Sequence, residues 1–405
     1  MSTTAQRLLH GTLISDGARV DDGLVVLDGE RISYAGPASD FSPAPDAERL
    51  PLPEQAKIIP GLVDVHNHGA AGADFPAAEE ANARDAIAFL HRHGTTTLLA
   101  SLVTASEAAL LRGLELYADL SAEGLLAGIH LEGPFLSAAR CGAQDPAFLR
   151  APDLALAQRL IGAGQGQLTS MTYAPELPGA ADLVELLTEH GVIPSLGHTD
   201  ADDATAGASL MQAFDGLAGS GFDGHSARPT VTHLFNGMPP LHHRSPGPVT
   251  ACLRAARSGR ACVELIADGT HLDPHTVLTV FELVGAANIL LVTDAMAATG
   301  LADGEYRLGP AEVTVREGMA TLKSNGSIAG GTATLLQVVL RTVAAGVPWE
   351  AAVLSATAVP ARMLGLSDEL GSLRRGLRAD VLVLSEAGRL VQTFRCGQLL
   401  ESPAL

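Results

Sequence analysis

Six ionisable side chains stand where apolar, strand-like runs of the sequence come to an end. His66 and His68 follow Leu62–Val65 at positions i and i+2, so extended backbone turns both rings to one face. Glu132 closes His130-Leu-Glu132, His198 follows Leu196-Gly197, His233 ends Val231-Thr-His233 and Asp294 ends Leu291-Val-Thr-Asp294. Neutral imidazoles and carboxylates are the donors that a borderline divalent cation such as Zn2+ takes. Singly, each has an ordinary reading: a His-x-His pair is common, His198 could enter a helix, and Asp294 could cap one. As a set they point to a metal site. Four imidazoles and two acids gathered without a cation would repel one another or be left unpaired. His91, His93, His190, His225 and His275 lie in helices or loops without that placement and are read as ordinary residues. His130 shares a strand face with Glu132 and is read as support for a ligand.

For these residues to meet, the strand ends must share one rim. Strand candidates are Leu62–His66, Thr96–Leu99, Ile129–Glu132, Leu168–Tyr173, Val192–Leu196, Thr230–His233, Ala261–Ile266 and Ile289–Thr293. Between them lie segments such as Glu79–Arg92, Ala105–Ala118 and Ala181–His190, with apolar residues at helical spacing. This alternation predicts an α/β fold, a (β/α)8 TIM-type barrel with its site at the C-terminal ends of the strands. No Gly-x-Gly-x-x-Gly opens a helix after the first strand, which argues against a dinucleotide-binding sheet. The first fifty residues read as short strands separated by Ser-Asp-Gly and Asp-Gly-Glu turns, and Asp380–Leu384 and Leu390–Phe394 return to strands. The two chain ends are therefore expected to form one small β-sandwich domain from residues 1–58 and 371–405. The barrel occupies 59–370, with a β-hairpin insertion at 304–325.

The chain of 405 residues, 47% hydrophobic and 18% charged, supports a large buried core. A formal net charge of −19 makes nucleic acid and anionic membrane poor partners, and an anionic substrate would need a local cationic cluster. Its apolar runs are strand-sized, too short to span a bilayer. The start, Met1–His10, lacks a basic segment followed by an apolar core, so no secretion signal is expected. Four cysteines (Cys141, Cys252, Cys262, Cys396) without a CxxC fit a reducing compartment, the cytoplasm.

Pro60-Gly-Leu-Val-Asp-Val-His-Asn-His-Gly69 resembles the opening of the amidohydrolase superfamily. His130-Leu-Glu-Gly-Pro-Phe135, Gly197–Asp200, Thr232-His-Leu-Phe-Asn-Gly-Met238, Ala267-Asp-Gly-Thr-His271 and Val292–Ala295 resemble, in order and spacing, its N-acetylglucosamine-6-phosphate deacetylase branch. The resemblance covers nearly the whole chain. It implies hydrolysis of the acetyl amide of an amino-sugar 6-phosphate, assisted by Zn2+ or by Fe2+, Mn2+ or Co2+, with one or two cations per subunit. It implies Glu132, His198 and His233 as principal metal ligands, and a second position at His66 and His68 bridged by Glu132. Asp294 is implied as general base and acid, and Asn236 and Gly237 as substrate contacts. Arg244 and His271 are implied to reach the sugar phosphate from the neighbouring subunit, hence a homodimer.

One position departs from that pattern. Many members carry a histidine twelve residues after the metal-binding Glu, where it polarises the acetyl carbonyl; here Gln144 stands there. Gln can donate an N–H to that oxygen but carries no positive charge. Either a second metal polarises the carbonyl, or the enzyme is weaker or tuned to another N-acyl sugar. Cys141 lies in the same loop. Cyclic-amide members of the superfamily bridge their metals with a carboxylated lysine after the fourth strand. The lysines here are Lys57 and Lys323, neither near Leu168–Tyr173, which argues against that branch. Spacing does not separate deaminases, nor the deacetylase for the N-acetylgalactosamine epimer. A metal-free barrel scaffold is disfavoured by the intact ligand set.

Overall fold

The structure, a computed structural model, describes residues 6–220 and 226–401; His225 lies outside them. Arg7–Ser15 and Ala18–Asp28 form an antiparallel hairpin. Its two-residue loop, Asp16-Gly17, has positive φ at both positions, the conformation that matches the twist of paired strands. Arg31–Pro37 pairs on one side of this hairpin and Lys57–Pro60 on the other. Lys57–Pro60 in turn pairs with Val381–Leu384, which is followed by Leu390–Arg395 and Gln398–Leu400. The two chain ends thus share one mixed sheet, which includes Lys57–Pro60. The strands form a continuous hydrogen-bonded path, and its Arg31–Pro37 end also meets the segment just before Val381–Leu384. Ile32 N–H donates to Leu377 O at 2.9 Å and Ala379 N–H to Glu30 O at 2.8 Å. Leu9, Val25, Leu27, Ile58, Val381, Val383 and Phe394 fill one apolar core between them.

The body of the chain alternates strand and helix. Leu62–Asp64 pairs in parallel with Thr95–Leu98. Ala100–Val103, Ile129–Glu132, Leu168–Tyr173, Ile193–Leu196, Thr230–Val231, Cys262–Leu265 and Ile289–Leu291 follow as a seven-stranded parallel sheet in sequence order. Beyond the last strand, Asp294 N–H donates to His66 O at 2.9 Å and His68 N–H to Ala295 O at 2.7 Å. The extensions of the first and last strands therefore lie side by side.

Helices pack on this sheet through regular apolar stripes. In Glu80–Arg92 the buried residues Ala83, Ala86, Ile87 and Leu90 fall at i, i+3, i+4 and i+7. The next helix runs Glu107–Ala122, two residues later at its start than its apolar pattern suggests. The Ser106 hydroxyl accepts the Ala109 N–H and acts as N-cap. Among the described residues no helix is long and apolar enough to cross a membrane.

Two expectations are corrected. The insertion expected as a hairpin is a three-stranded antiparallel sheet, Gly304–Leu308, Ala311–Arg316 and Met319–Leu322. Gly318 (φ 74°) makes the extra turn back to Met319–Leu322, whose side chains alternate less clearly in the sequence. Several barrel-type strands also stop short of the residues expected to close them. Pairing ends at Asp64, Val231 and Leu291, and the ionisable residues lie just beyond.

Candidate metal centre and active site

His198, His233 and Asp294 have left-handed backbone, with φ of 46°, 28° and 47°. This conformation is costly for a non-glycine residue and persists where surrounding structure enforces it, commonly at functional sites. Each turn ends a strand's extended run and swings the side chain across the mouth of the sheet. The neighbours are shaped to allow it. At Gly237 (φ 61°) an added Cβ would stand 2.8 Å from His198 Nδ1, so only glycine fits beside that ring.

Two groups result. Glu132 Oε1 lies 2.8 Å from His198 Nε2 and 3.0 Å from His233 Nε2, and these two nitrogens are 3.1 Å apart. His66 and His68 bring their Nε2 atoms to 3.0 Å, and Asp294 Oδ1 is 3.1 Å from His68 Nε2 and 3.5 Å from His66 Nε2. Within each group the ligand atoms all lie within 4.8 Å of one another. Tetrahedral ligands about 2.0–2.1 Å from zinc stand about 3.3 Å apart, so both clusters have the right spacing for a shared cation. Glu132 links them: its Oε2 is 3.3 Å from His68 Nε2.

The outer ring nitrogens fix what the inner ones can do. His198 Nδ1 lies 2.8 Å from Arg140 O and His68 Nδ1 lies 3.1 Å from Ser101 O. A carbonyl only accepts, so Nδ1 must carry the proton in both rings, and a neutral ring then presents a bare Nε2 lone pair to the centre. Those lone pairs face carboxylate oxygens and other imidazoles, which is repulsive unless a proton or a metal cation stands between them. His233 is the exception. Its Nδ1 is buried and has no hydrogen-bond partner among the described residues.

The same demand for positive charge appears in the ionisation of the rings. Burial works against a charged His68, but bonds to Asp294 and Glu132 outweigh it and push its pKa up to about 9. Burial likewise opposes a charged His66, yet Asp294 and Glu264 raise it well above the ordinary value. Asp294, also penalised by burial, is held well below the usual carboxylate range by the His66 and His68 rings. A pH dependence follows. His68 binds its proton more tightly folded than unfolded, so in metal-free protein this stabilisation is complete below the unfolded value near 6.5. It is lost as pH rises through about 9. A cation must displace that proton. Metal affinity is therefore expected to rise with pH, by up to about tenfold per pH unit for each proton displaced, while pH stays below the folded value of about 9. Competition titration against a chelator at pH 7, 8 and 9 measures this, and a flat or falling affinity contradicts it.

His66, His68, Glu132, His198, His233 and Asp294 are thus brought together. A cavity of about 290 Å³ opens on all of these but His66, which is buried beneath, and is lined also by Gly142, Gln144, Asn236, Gly237 and His271. Gln144 Oε1 accepts the Thr104 N–H at 2.8 Å, which leaves its amide nitrogen to donate to Glu132 Oε2 at 2.7 Å. The side chain assigned to the acetyl carbonyl thus also steadies the linking carboxylate. Asn236 donates to His233 O at 3.2 Å.

His271 corrects an expectation. It lines the cavity of its own chain, because Asp268 accepts from the backbone N–H groups of Thr270 and His271 and holds the ring Nδ1 at 2.9 Å. That turn folds the ring back over its own site. Arg244 is exposed in the loop before the Gly247–Arg257 helix and does not line the cavity. His130 bonds Ser101 Oγ and Thr172 Oγ1 below the ligands, with its pKa driven well below the ordinary value by burial and then by His66.

Two buried acids were not singled out in the sequence. Asp64 accepts from Thr293 Oγ1 at 2.6 Å and Asn67 Nδ2 at 3.1 Å, tying the first strand to the last; burial pushes its pKa up to about 6. Glu264 Oε2 holds His66 Nδ1 at 2.9 Å and accepts the His233 N–H at 3.1 Å. Each is an acid inside an otherwise apolar run, Leu62-Val-Asp-Val65 and Cys262-Val-Glu-Leu265, and that signal was available.

Comparison with known proteins agrees with this geometry. The sequence profile described as "Amidohydrolase family" matches residues 58–400. The chain is 32% identical over 401 residues to the N-acetylglucosamine-6-phosphate deacetylase of Vibrio furnissii, covering 98% of this chain and 94% of that one. It is 34% identical over 349 residues to the N-acetylgalactosamine-6-phosphate deacetylase of Escherichia coli O157:H7, covering 84% and 87%. The structure superimposes on that of a mutant of the N-acetyl-D-glucosamine-6-phosphate deacetylase from Mycobacterium smegmatis, in complex with N-acetyl-D-glucosamine-6-phosphate. The TM-score is 0.89 at 36% identity, covering 98% of this chain and 100% of that one.

Proposed function

The chain belongs to the amidohydrolase family, and on that footing we propose that it hydrolyses N-acetylglucosamine 6-phosphate to glucosamine 6-phosphate and acetate. The observation that carries this reading is the meeting of Glu132, His198, His233, His68 and Asp294 at one cavity, with His66 against them from beneath, in a chain similar along its length to deacetylases of that sugar. Glu132, His198 and His233 would hold one divalent cation, and His66, His68 and Asp294 a second, with Glu132 between them. Zn2+ suits this mixed nitrogen and oxygen set best. A cation so bound supplies acidified water and polarisation of the amide carbonyl.

The chain's own residues do the rest. Asp294 is ionised at neutral pH because the adjacent imidazoles favour its charge, so it can accept a proton from the attacking water. As the new C–O bond forms and the C–N bond breaks, Asp294 returns that proton to the departing amine nitrogen. Gln144 keeps Glu132 in place, and Asn236 and Gly237 form the wall against which the sugar lies. His271, its Nδ1 held by Asp268, offers its other ring nitrogen to the substrate.

The adjacency of the first and last strand extensions supports reading the parallel strands as a closed (β/α)8 barrel over residues 59–370. The curled sheet of the chain ends is then a small sandwich-like domain. The four free thiols go with a reducing cytoplasm as its place of work.

Arg244, exposed and outside its own chain's cavity, would serve the phosphate of a partner subunit's substrate in a homodimer. A charge-assisted hydrogen bond is worth about 1.5–3 kcal/mol. Arg244→Ala is therefore expected to raise KM for the phosphorylated sugar by about 10–100-fold with little change in kcat. An unchanged KM rejects the assignment.

The substrate is tested by acetate release from N-acetylglucosamine and N-acetylgalactosamine, each with and without the 6-phosphate. The fastest turnover is expected with N-acetylglucosamine 6-phosphate. Preference for the galactosamine epimer, or no acetate from any of the four, overturns the reading.

A further inference from the structure

Glu264 sits in the buried strand Cys262–Leu265 and is only 3% exposed. A carboxylate there loses its hydration and is tolerated only where partners replace the water. Among the described residues, its carboxylate is bonded to two of the candidate metal ligands. Oε2 lies 2.9 Å from Nδ1 of His66, a ring with no exposure at all, and accepts the main-chain N–H of His233 at 3.1 Å. His66 belongs to one group of ligands and His233 to the other.

We propose that Glu264 is a positioning residue that couples the two metal positions, fixing the ring of His66 in one and the backbone turn of His233 in the other. The inference rests on the metal reading given above. Its carboxylate oxygen accepts, so a neutral His66 ring keeps its proton on Nδ1 and turns a bare Nε2 toward His68 and Asp294. Without Glu264 the ring is free to take the other tautomer. Its Nε2 proton would then point at the place a cation must occupy. The second bond acts on the chain itself. His233 has φ of 28°, and an acceptor on its N–H helps to hold that left-handed turn. One oxygen thus sets a ring in the first group and a backbone angle in the second.

The test compares wild type, Glu264→Leu and Glu264→Gln. Each is prepared metal-free and titrated with Co2+, reading the number bound per chain and the visible absorption of each step; circular dichroism reports the fold. Wild type is expected to take up two Co2+. Glu264→Leu, which removes the acceptor, is expected to bind the cation at the His66/His68 position about 10–100-fold more weakly, with an altered absorption band. Glu264→Gln is nearly the same shape and its amide oxygen still accepts the Nδ1 proton. It is expected to recover part of that loss, ending about tenfold weaker than wild type. If Glu264→Leu does not fold, Glu264→Gln decides alone. Folded variants that bind two Co2+ with wild-type affinity and spectra overturn the coupling while leaving the metal reading intact. A wild type that takes up no Co2+ overturns both.

Discussion

Asp294→Asn is expected to lower kcat by about 10³-fold, within the range typical of a lost general acid–base residue, while metal stays bound. The substitution keeps the size of the side chain and an oxygen near His68 Nε2, where Oδ1 now lies at 3.1 Å. What it removes is the ability to take and return a proton. Glu132, His198 and His233 are untouched, so a cation held by them is expected to remain. The measurement pairs steady-state acetate release with metal analysis of the same sample. A variant within tenfold of wild-type kcat, or one that loses all its metal, contradicts the role given to Asp294.

Glu132→Ala is expected to have the other large effect, and through a different route. Glu132 is the carboxylate in contact with both groups: Oε1 meets His198 and His233, and Oε2 lies 3.3 Å from His68. Its removal takes an anionic donor from one position and the bridge to the other, and it frees the Gln144 amide that now donates to it. Loss of a metal's contribution, several kcal/mol, corresponds to a drop in kcat/KM of about 10³-fold or more. Metal content should fall together with activity, whereas in Asp294→Asn the two should separate. A Glu132→Ala protein that keeps its full metal complement contradicts the linking position assigned to this carboxylate.

Much of this arrangement could be read from residue order. Short apolar runs such as Ile129–Glu132 and Leu168–Tyr173 coincide with observed strands because β-propensity and burial agree there. The six ionisable residues were found because each stands at the end of such a run. The strand ends themselves were less legible. His233 and Asp294 look like the last residues of extended segments, but both adopt left-handed backbone, and nothing in a histidine or aspartate announces that. The bonds that enforce these turns come from elsewhere in the chain, such as Gly331 N–H to Asp294 O and His233 N–H to the Glu264 carboxylate. The place of His271 was missed for a local reason. The Asp268 side chain bends the following turn so that the ring faces its own cavity. Glu264 was missed because one acid in an apolar strand was not weighed against its cost of burial.

The central claim is that this buried set of imidazoles and carboxylates is a divalent-metal centre that hydrolyses the acetyl amide of an amino-sugar phosphate. Acetate release from N-acetylglucosamine 6-phosphate tests it most directly, measured on the purified protein, after exhaustive chelation, and after adding back Zn2+, Mn2+, Fe2+ or Co2+ in turn. The account predicts steady turnover, its loss on chelation and its return with at least one of these cations. Turnover that is indifferent to chelation, or no acetate with any cation, would contradict it.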